Sequence, residues 1–159
     1  DDARYPNIVF GDDALINESY IENPTQRLEF YNHFSRAKTI EDVLKIKHEL
    51  SDRFGRLPVE TKNLLFIAKA RVLFKNTSVS RLSVDRVGVV LVLEDTGPYS
   101  SLDKLFSAFD GLSISESVNH VFGKTNTGEL SVSFSAAGIV PSMRLLLKCS
   151  RLFLAKKNE

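Results

Sequence analysis

Apolar residues in the first half of the chain recur at the spacing of a helix. The clearest case is residues 40–54, where the apolar positions are three, four and four residues apart: Val43, Ile46, Leu50 and Phe54. Such spacing places side chains on one stripe of a helix. The pattern therefore predicts an amphipathic helix whose other face carries charged side chains, namely Glu41, Lys45, Glu49, Asp52 and Arg53.

Both ends of this helix are marked by residues with suitable backbone preferences. Thr39 can cap the start, and Asp42 stands three residues later, as in a capping box. Gly55 can adopt the left-handed conformation that ends a helix, and Pro58 can open the next helix at its first position. The short connection between them predicts two neighbouring helices packed as a hairpin.

Two further helices and an N-terminal strand are predicted around this one. A strand is expected over 7–10 and 14–16, and a helix begins at Pro24, capped by Asn23, and runs to about Ala37. Its expected inner stripe is Leu28, Tyr31 and Phe34 (or Ser35). A third helix over about 58–74 has a broad apolar face made of Leu64, Leu65, Ile67, Ala68, Val72 and Leu73.

The hydrophobic period changes from 3.6 to 2 after about residue 78. Strands are predicted over 80–84 and 87–94 with a turn at Asp85-Arg86, in segments at 112–115 and 119–122, and over 130–134. Helices are predicted over 101–109 and 140–156. The layout is an α+β domain: an N-terminal three-helix segment, a small mainly antiparallel sheet and a C-terminal helix. We expect one domain over 1–159, with the helical part at about 20–76 and the sheet plus last helix at about 79–157.

Composition narrows the function classes. The chain has 159 residues, 43% of them hydrophobic and 26% charged, as in a globular domain. Its formal net charge of +1 argues against a dominant electrostatic grip on nucleic acid. The single cysteine, Cys149, lies in an apolar helical run and is expected to be a buried thiol in a cytoplasmic protein. No apolar run approaches the length that spans a bilayer.

Candidate reactive residues do not assemble into a known motif. Gly123-Lys124-Thr125 resembles the end of a phosphate-binding loop, but the required earlier glycine is replaced by Val118, so a hairpin turn is the better interpretation. The histidines His33, His48 and His120 are scattered, without a metal-ligand spacing. We therefore predict no catalytic, cofactor-binding or metal-binding residues in this chain.

The segment Glu49-Leu-Ser-Asp-Arg-Phe-Gly-Arg-Leu-Pro58 resembles a family pattern, E-L-x-D-R-F-G-x-L-P. That pattern belongs to the C-terminal domain of bacterial transcription-repair coupling factors. The resemblance extends upstream through Tyr20-Ile21 and residues 27–31, and downstream through Glu60, Leu64-Leu65 and Ile67-Ala68. It covers roughly residues 8–95 and weakens beyond them, where 113–135 matches only in its alternation.

The resemblance implies a regulatory domain without catalytic activity. The full-length factors are ATP-driven DNA translocases that displace stalled RNA polymerase and recruit the repair protein UvrA in transcription-coupled nucleotide excision repair. In that family ATP and magnesium bind elsewhere in the chain, and so do duplex DNA, RNA polymerase and UvrA. The C-terminal domain is thought to mask the UvrA-binding module of the same chain. As an isolated domain it is expected to be a monomer that does not contact membranes.

The charged face of the signature helix is the expected interdomain interface, formed by Glu49, Asp52, Arg53 and Arg56. For Asp52 and Arg53 an internal role stays open, either capping the next helix or bridging to Arg27. A second hypothesis is nucleic-acid binding through the basic last helix, which carries Arg144, Lys148 and Arg151. A salt titration of duplex DNA binding distinguishes the two hypotheses.

Overall fold

The computed structural model describes residues 2–94, 101, 103 and 120–154. Contacts between Cα atoms divide the chain into two compact units. The helical unit comprises Asp12–Leu73, and the sheet unit comprises Asp1–Gly11 together with Phe74–Glu159. The architecture is α+β, with three helices followed by strands and a last helix, as the sequence predicts.

The helical unit contains α1 (Pro24–Arg36), α2 (Ile40–Phe54) and α3 (Val59–Leu73). The predicted caps are present: the Asn23 side chain accepts hydrogen bonds from the N–H groups of Thr25 and Gln26 at the start of α1. At the start of α2 the Asp42 carboxylate accepts hydrogen bonds from the N–H groups of Lys38 and Thr39, at 2.9 and 3.1 Å. These bonds lower the pKa of Asp42, because they stabilise its charged form.

The core of the helical unit follows the predicted stripe of α2 but not that of α1. Val43, Ile46 and Leu50 are buried, as predicted. On α1 the predicted inner residue Leu28 is 60% exposed and Tyr31 is 36% exposed, whereas Phe30 is fully buried together with Phe34 and Ala37. The prediction for α1 was therefore wrong in two of its three positions.

Two smaller corrections concern the same unit. Residues 14–16 do not form a strand; the N–H group of Ile16 donates to the Tyr31 hydroxyl at 2.7 Å instead of to a neighbouring strand. On α3 the buried residues are Thr61, Asn63, Phe66, Ala68 and Ala70, whereas most of the predicted apolar face is only half-buried. The hydrogen bond that the Asn63 amide donates to the carbonyl oxygen of Asp13, at 2.8 Å, offsets the cost of burying this polar side chain.

The sheet unit is built on five strands, numbered in chain order. They are β1 (Asn7–Phe10), β2 (Val79–Asp85), β3 (Gly88–Leu93), β4 (His120–Lys124) and β5 (Leu130–Ser135). Their spatial order is β1-β2-β3-β5-β4. All pairs are antiparallel except β1 with β2, where Ile8 is opposite Leu82 in a parallel ladder. The sheet is therefore mixed, with one parallel edge strand.

Turns and the last helix complete the sheet unit. The turn between β2 and β3 is Arg86-Val87, one residue later than predicted, and the Asp85 carboxylate accepts hydrogen bonds from the N–H groups of Val87 and Gly88. The last helix, α4 (Ile139–Leu154), packs against β2 and β3. It buries Cys149 as predicted, and burial raises the pKa of that thiol to about 12.

Several predicted elements lie wholly or partly outside the described residues. They are the helix over 101–109, the strand segment at 112–115 and the final turn of the last helix. Gly123-Lys124-Thr125 leads from β4 into the turn before β5, so the hairpin interpretation is confirmed. None of the helices in the described part of the chain has the length and apolar character needed to cross a membrane.

Candidate interaction surface

The C-terminal end of α2 is fixed by three aromatic rings. Phe54 contacts Tyr20 and Phe30 edge to face, with ring centroids 5.9 and 5.8 Å apart. The Tyr20 hydroxyl donates to the carbonyl oxygens of Leu50 at 3.1 Å and Gly55 at 2.9 Å. It thereby satisfies the Gly55 carbonyl, which lies just beyond the last helical residue and has no intrahelical partner. Desolvation by burial raises the pKa of Tyr20.

Gly55 ends α2 in a conformation that other residues avoid. Its φ is 84° and its ψ is −161°, and its N–H group donates to the carbonyl oxygen of Ser51 at 3.0 Å. This region of backbone space is essentially restricted to glycine. The chain then turns through Arg56 and buried Leu57 into α3. This helix begins one residue later than predicted: Pro58 precedes it, and the Pro58 carbonyl oxygen accepts the hydrogen bonds of the first helical turn.

Arg53 lies over the aromatic rings rather than pointing freely into solvent. Its guanidinium carbon is 5.3 Å from the centroid of Phe30 and 5.1 Å from that of Phe54. Its Nη1 donates to the Glu49 carboxylate at 2.9 Å, one turn earlier on the same helix. Both side chains remain partly accessible, 37% for Arg53 and 41% for Glu49. The structure therefore brings two of the four predicted interface residues together in a fixed arrangement.

Asp52 and Arg56 are placed differently from that pair. Both residues are exposed, and within the part of the chain that the structure describes neither forms a hydrogen bond or an ion pair. The predicted bridge to Arg27 is not formed: Arg27 donates to the carbonyl oxygens of Ile21 and Glu22 and lies 3.8 Å from the Glu18 carboxylate. We refer to Glu49, Asp52, Arg53 and Arg56 together as the α2 patch.

The sequence did not predict a second feature of the helical unit, a groove between α2 and α3. It has a volume of about 610 Å³. Its apolar wall is formed by Val43, Leu44, Leu57, Leu65 and Phe66, and its polar lining by Lys47, Ser51, Arg56, Lys62 and Lys69. The sequence contains one indication of this groove: Leu44 is an apolar residue on the otherwise charged face of α2. In the structure its side chain is 46% exposed.

The described residues offer neither a metal-ligand cluster nor a reactive thiol. Over 2–94, 101, 103 and 120–154, no group of three or more His, Cys, Asp or Glu side chains is arranged to hold a metal ion. The one cysteine is buried among apolar residues with its pKa raised, which disfavours the nucleophilic thiolate. The arrangement of the α2 patch suits reversible ionic contacts with another protein surface.

Comparison with known proteins places this surface in a family context. The sequence profile of the TRCF domain matches residues 11–103, which is more than half of the chain and includes both the α2 patch and the groove. Three relatives named transcription-repair-coupling factor are similar over part of the chain. The protein of Haemophilus influenzae is 37% identical over 75 residues, that of Escherichia coli 35% over 78, and that of Bacillus subtilis 31% over 83.

These alignments cover 47%, 49% and 52% of this chain, respectively. The matched region spans only 6–7% of the length of those relatives. The fold as a whole is similar to a crystal structure of the C-terminal domain of a transcription-repair coupling factor, with a TM-score of 0.73 and 18% identity. That similarity covers 96% of this chain and 97% of the other, so it extends to the sheet and α4.

Proposed function

The chain belongs to the TRCF domain family, and from that premise we propose that it is a non-catalytic, autoinhibitory interaction domain of a cytoplasmic transcription-repair coupling factor. Such a factor acts as an ATP-dependent DNA translocase in transcription-coupled nucleotide excision repair. In the closed state of the factor, the α2 patch docks on the UvrA-binding module of the same polypeptide. Docking masks that module until the factor engages RNA polymerase.

The observation that carries the proposal is the exposed ionic end of α2. Surface ion pairs such as Glu49–Arg53 add little to the stability of a fold, about 0–1 kcal/mol. The unpaired carboxylate of Asp52 and the guanidinium of Arg56 add less still, since neither has a partner within the described residues. Stability therefore does not explain the exposed charges of Asp52 and Arg56 beside this pair, whereas recognition of a charged partner surface does.

The same geometry lowers the conformational entropy that Arg53 loses on docking. The two rings beneath Arg53 and the carboxylate of Glu49 already restrict the guanidinium, so little rotamer freedom is lost when a partner binds. Autoinhibition requires contacts that exist only in the closed state, because only a differential interaction shifts the equilibrium. Coupling free energies between sites are about 1–3 kcal/mol, which corresponds to about 5–150-fold in UvrA affinity.

The experiment replaces Asp52 by alanine in the full-length factor. Asp52 is the best choice because it is exposed and its removal disturbs no hydrogen bond within the described residues. We expect the variant to bind UvrA at least about 5-fold more tightly, since the closed state loses a contact that the open state lacks. Isothermal titration calorimetry with purified UvrA measures the affinity directly.

Glu41→Ala is the matched control for this experiment. Glu41 is an exposed carboxylate on the same helix, about 16 Å from Asp52 along the axis at 1.5 Å per residue. It should leave UvrA affinity unchanged. Equal affinities for Asp52→Ala, Glu41→Ala and the unmodified factor would remove the α2 patch from the masking interface.

The alternative role, nucleic-acid binding through α4, is not favoured by the comparisons. Of the exposed cations Arg144, Lys148 and Arg151, the last already has a structural explanation, because it lies in the last turn of α4, where the helix dipole stabilises positive charge. Duplex DNA binding by the 159-residue chain that weakens steeply with salt would reverse this preference.

A further inference from the structure

The groove between α2 and α3 combines an apolar floor with a rim of uniform charge. Of the ten described residues that line it, four are basic and none is acidic. The cations are Lys47 on α2, Arg56 in the connection, and Lys62 and Lys69 on α3. The whole chain has a net charge of only +1, so this concentration of positive charge is local.

The rim cations are not used by the fold. Across the described ranges, none of the four forms an ion pair, a hydrogen bond or a contact with an aromatic ring. Four like charges around one groove repel each other, which costs free energy in the unbound protein. The apolar floor adds to that cost, because Leu44 stays 46% exposed above buried Val43 and Phe66. An occupant that is both apolar and acidic would relieve both costs.

The dimensions of the groove match a short helix. The lining residues of α2 run from Val43 to Ser51 and those of α3 from Lys62 to Lys69. At 1.5 Å per residue these stretches are about 12 Å and 10 Å long, or two helical turns each. Grooves between two helices bind amphipathic helices through apolar side chains spaced by i, i+3, i+4 and i+7, which fit such a length.

We infer that the α2–α3 groove is a docking site for an acidic amphipathic helix of a partner protein. The apolar stripe of that helix covers the floor, and Asp and Glu side chains on its flanks pair with Lys47, Lys62 and Lys69. The apolar floor favours a peptide over nucleic acid, because backbone phosphates would gain nothing from Leu44 or Leu65.

This site is separate from the α2 patch, although Arg56 lies at the edge of both. Measured around the helix axis at about 100° per residue, Glu49 lies about 140° and Arg53 about 180° from Leu44. The buried stripe of Val43, Ile46 and Leu50 therefore separates Glu49 and Arg53 from the groove on one side of α2, whereas Asp52, about 80° from Leu44, lies nearer to it.

The test uses two labelled synthetic peptides and the 159-residue chain. The first is a helix of about four turns with leucine at the stripe positions and glutamate on both flanks. The second is its twin with lysine in place of every glutamate. Fluorescence anisotropy should give a dissociation constant of about 100 μM or below for the acidic peptide and binding at least about 10-fold weaker for the basic twin.

The decisive variants are Lys47→Glu and Lys45→Glu. Both lysines are exposed on α2 and both variants change the charge equally, but only Lys47 lines the groove. Lys47→Glu should weaken binding of the acidic peptide about 5- to 10-fold, and Lys45→Glu less than about 2-fold. Leu44→Ser should also weaken binding, which shows that the apolar floor contributes.

Several outcomes overturn the proposal. They are equal binding of the two peptides, no binding of the acidic peptide up to about 1 mM, and equal effects of Lys47→Glu and Lys45→Glu. Binding of duplex DNA that Lys47→Glu selectively removes would assign the groove to nucleic acid instead. A concentration-dependent dimer in sedimentation velocity, abolished by Leu44→Ser, would assign it to a second copy of the chain.

Discussion

Replacing Arg53 by alanine tests whether its guanidinium braces the helical unit. The substitution removes the ion pair with Glu49 and both ring contacts, those with Phe30 and Phe54. It does not weaken α2 itself, because alanine has the highest intrinsic helix propensity. Any loss of stability therefore reports the side-chain contacts of Arg53. The result also tests the internal role that the sequence left open for this residue.

The magnitude follows from those contacts. An i,i+4 ion pair contributes about 0.3–0.5 kcal/mol when it is half-exposed. A cation over an aromatic ring contributes about 0.5–1 kcal/mol at an exposed site, and Arg53 lies over two rings. Because one guanidinium cannot stack fully on both, we expect Arg53→Ala to lower the free energy of unfolding by about 1–2 kcal/mol in total.

Urea unfolding followed by far-ultraviolet circular dichroism is the assay. For a domain of this size the expected loss lowers the urea midpoint by about 0.5–1 M. Arg56→Ala is the matched control: Arg56 is exposed, and within the described residues its side chain forms no hydrogen bond, so its loss should change stability by less than about 0.5 kcal/mol. A double-mutant cycle with Glu49→Ala isolates the ion pair. Arg53→Ala and Arg56→Ala variants of equal stability would refute the bracing role.

Three further predictions concern other parts of the fold. Gly55→Ala should destabilise the helical unit by about 1–3 kcal/mol, because a residue with a side chain is strained at a φ of 84° and a ψ of −161°. Thermal unfolding measures this loss. Gly123→Ala is the control, because its new Cβ meets only the Ser131 hydroxyl, at 3.4 Å. Because the folded state lowers the pKa of Asp42, the stability that it contributes should be present above its ordinary pKa of 3.8 and lost as the pH falls through the lower folded value. Urea midpoints across acid pH should thus fall more steeply for the native chain than for Asp42→Asn; parallel curves would contradict this. Burial raises the pKa of Cys149 to about 12 from 9.0, so the stability from its neutral form should be lost as the pH rises between those values, and a thiol reagent at neutral pH should label the native chain far more slowly than the urea-unfolded chain.

The helices were predictable because their signals are local. A cap, a stripe of apolar residues and a terminating glycine all act within one or two turns, so the signals that predict α2 are contained in residues 39–55. The same holds for β5, whose alternation places Leu130, Val132 and Phe134 on one buried face. The resemblance to the family was carried by the same local segment, and the profile match confirms it.

Position-by-position burial on α1 required the tertiary structure. That helix offers two apolar stripes, one through Leu28 and Tyr31 and one through Phe30 and Phe34, and spacing alone does not choose between them. The choice is made by the end of α2, because Phe54 and Arg53 pack on Phe30. Ring contacts between residues more than 20 positions apart in sequence leave no mark in the local pattern.

The two candidate binding surfaces were likewise predictable from the sequence only in part. The charged residues of the α2 patch were identifiable from the sequence, because an amphipathic helix must present its polar side to solvent. The pairing of Glu49 with Arg53, the isolation of Asp52 and the groove lined from both α2 and α3 were not. Sequence by itself determined where the helices of the helical unit form, since that depends on neighbours three or four residues away. Only the packing of helix against helix decided which charged side chains have partners and where apolar side chains stay exposed in a groove. Both depend on residues that folding brings together.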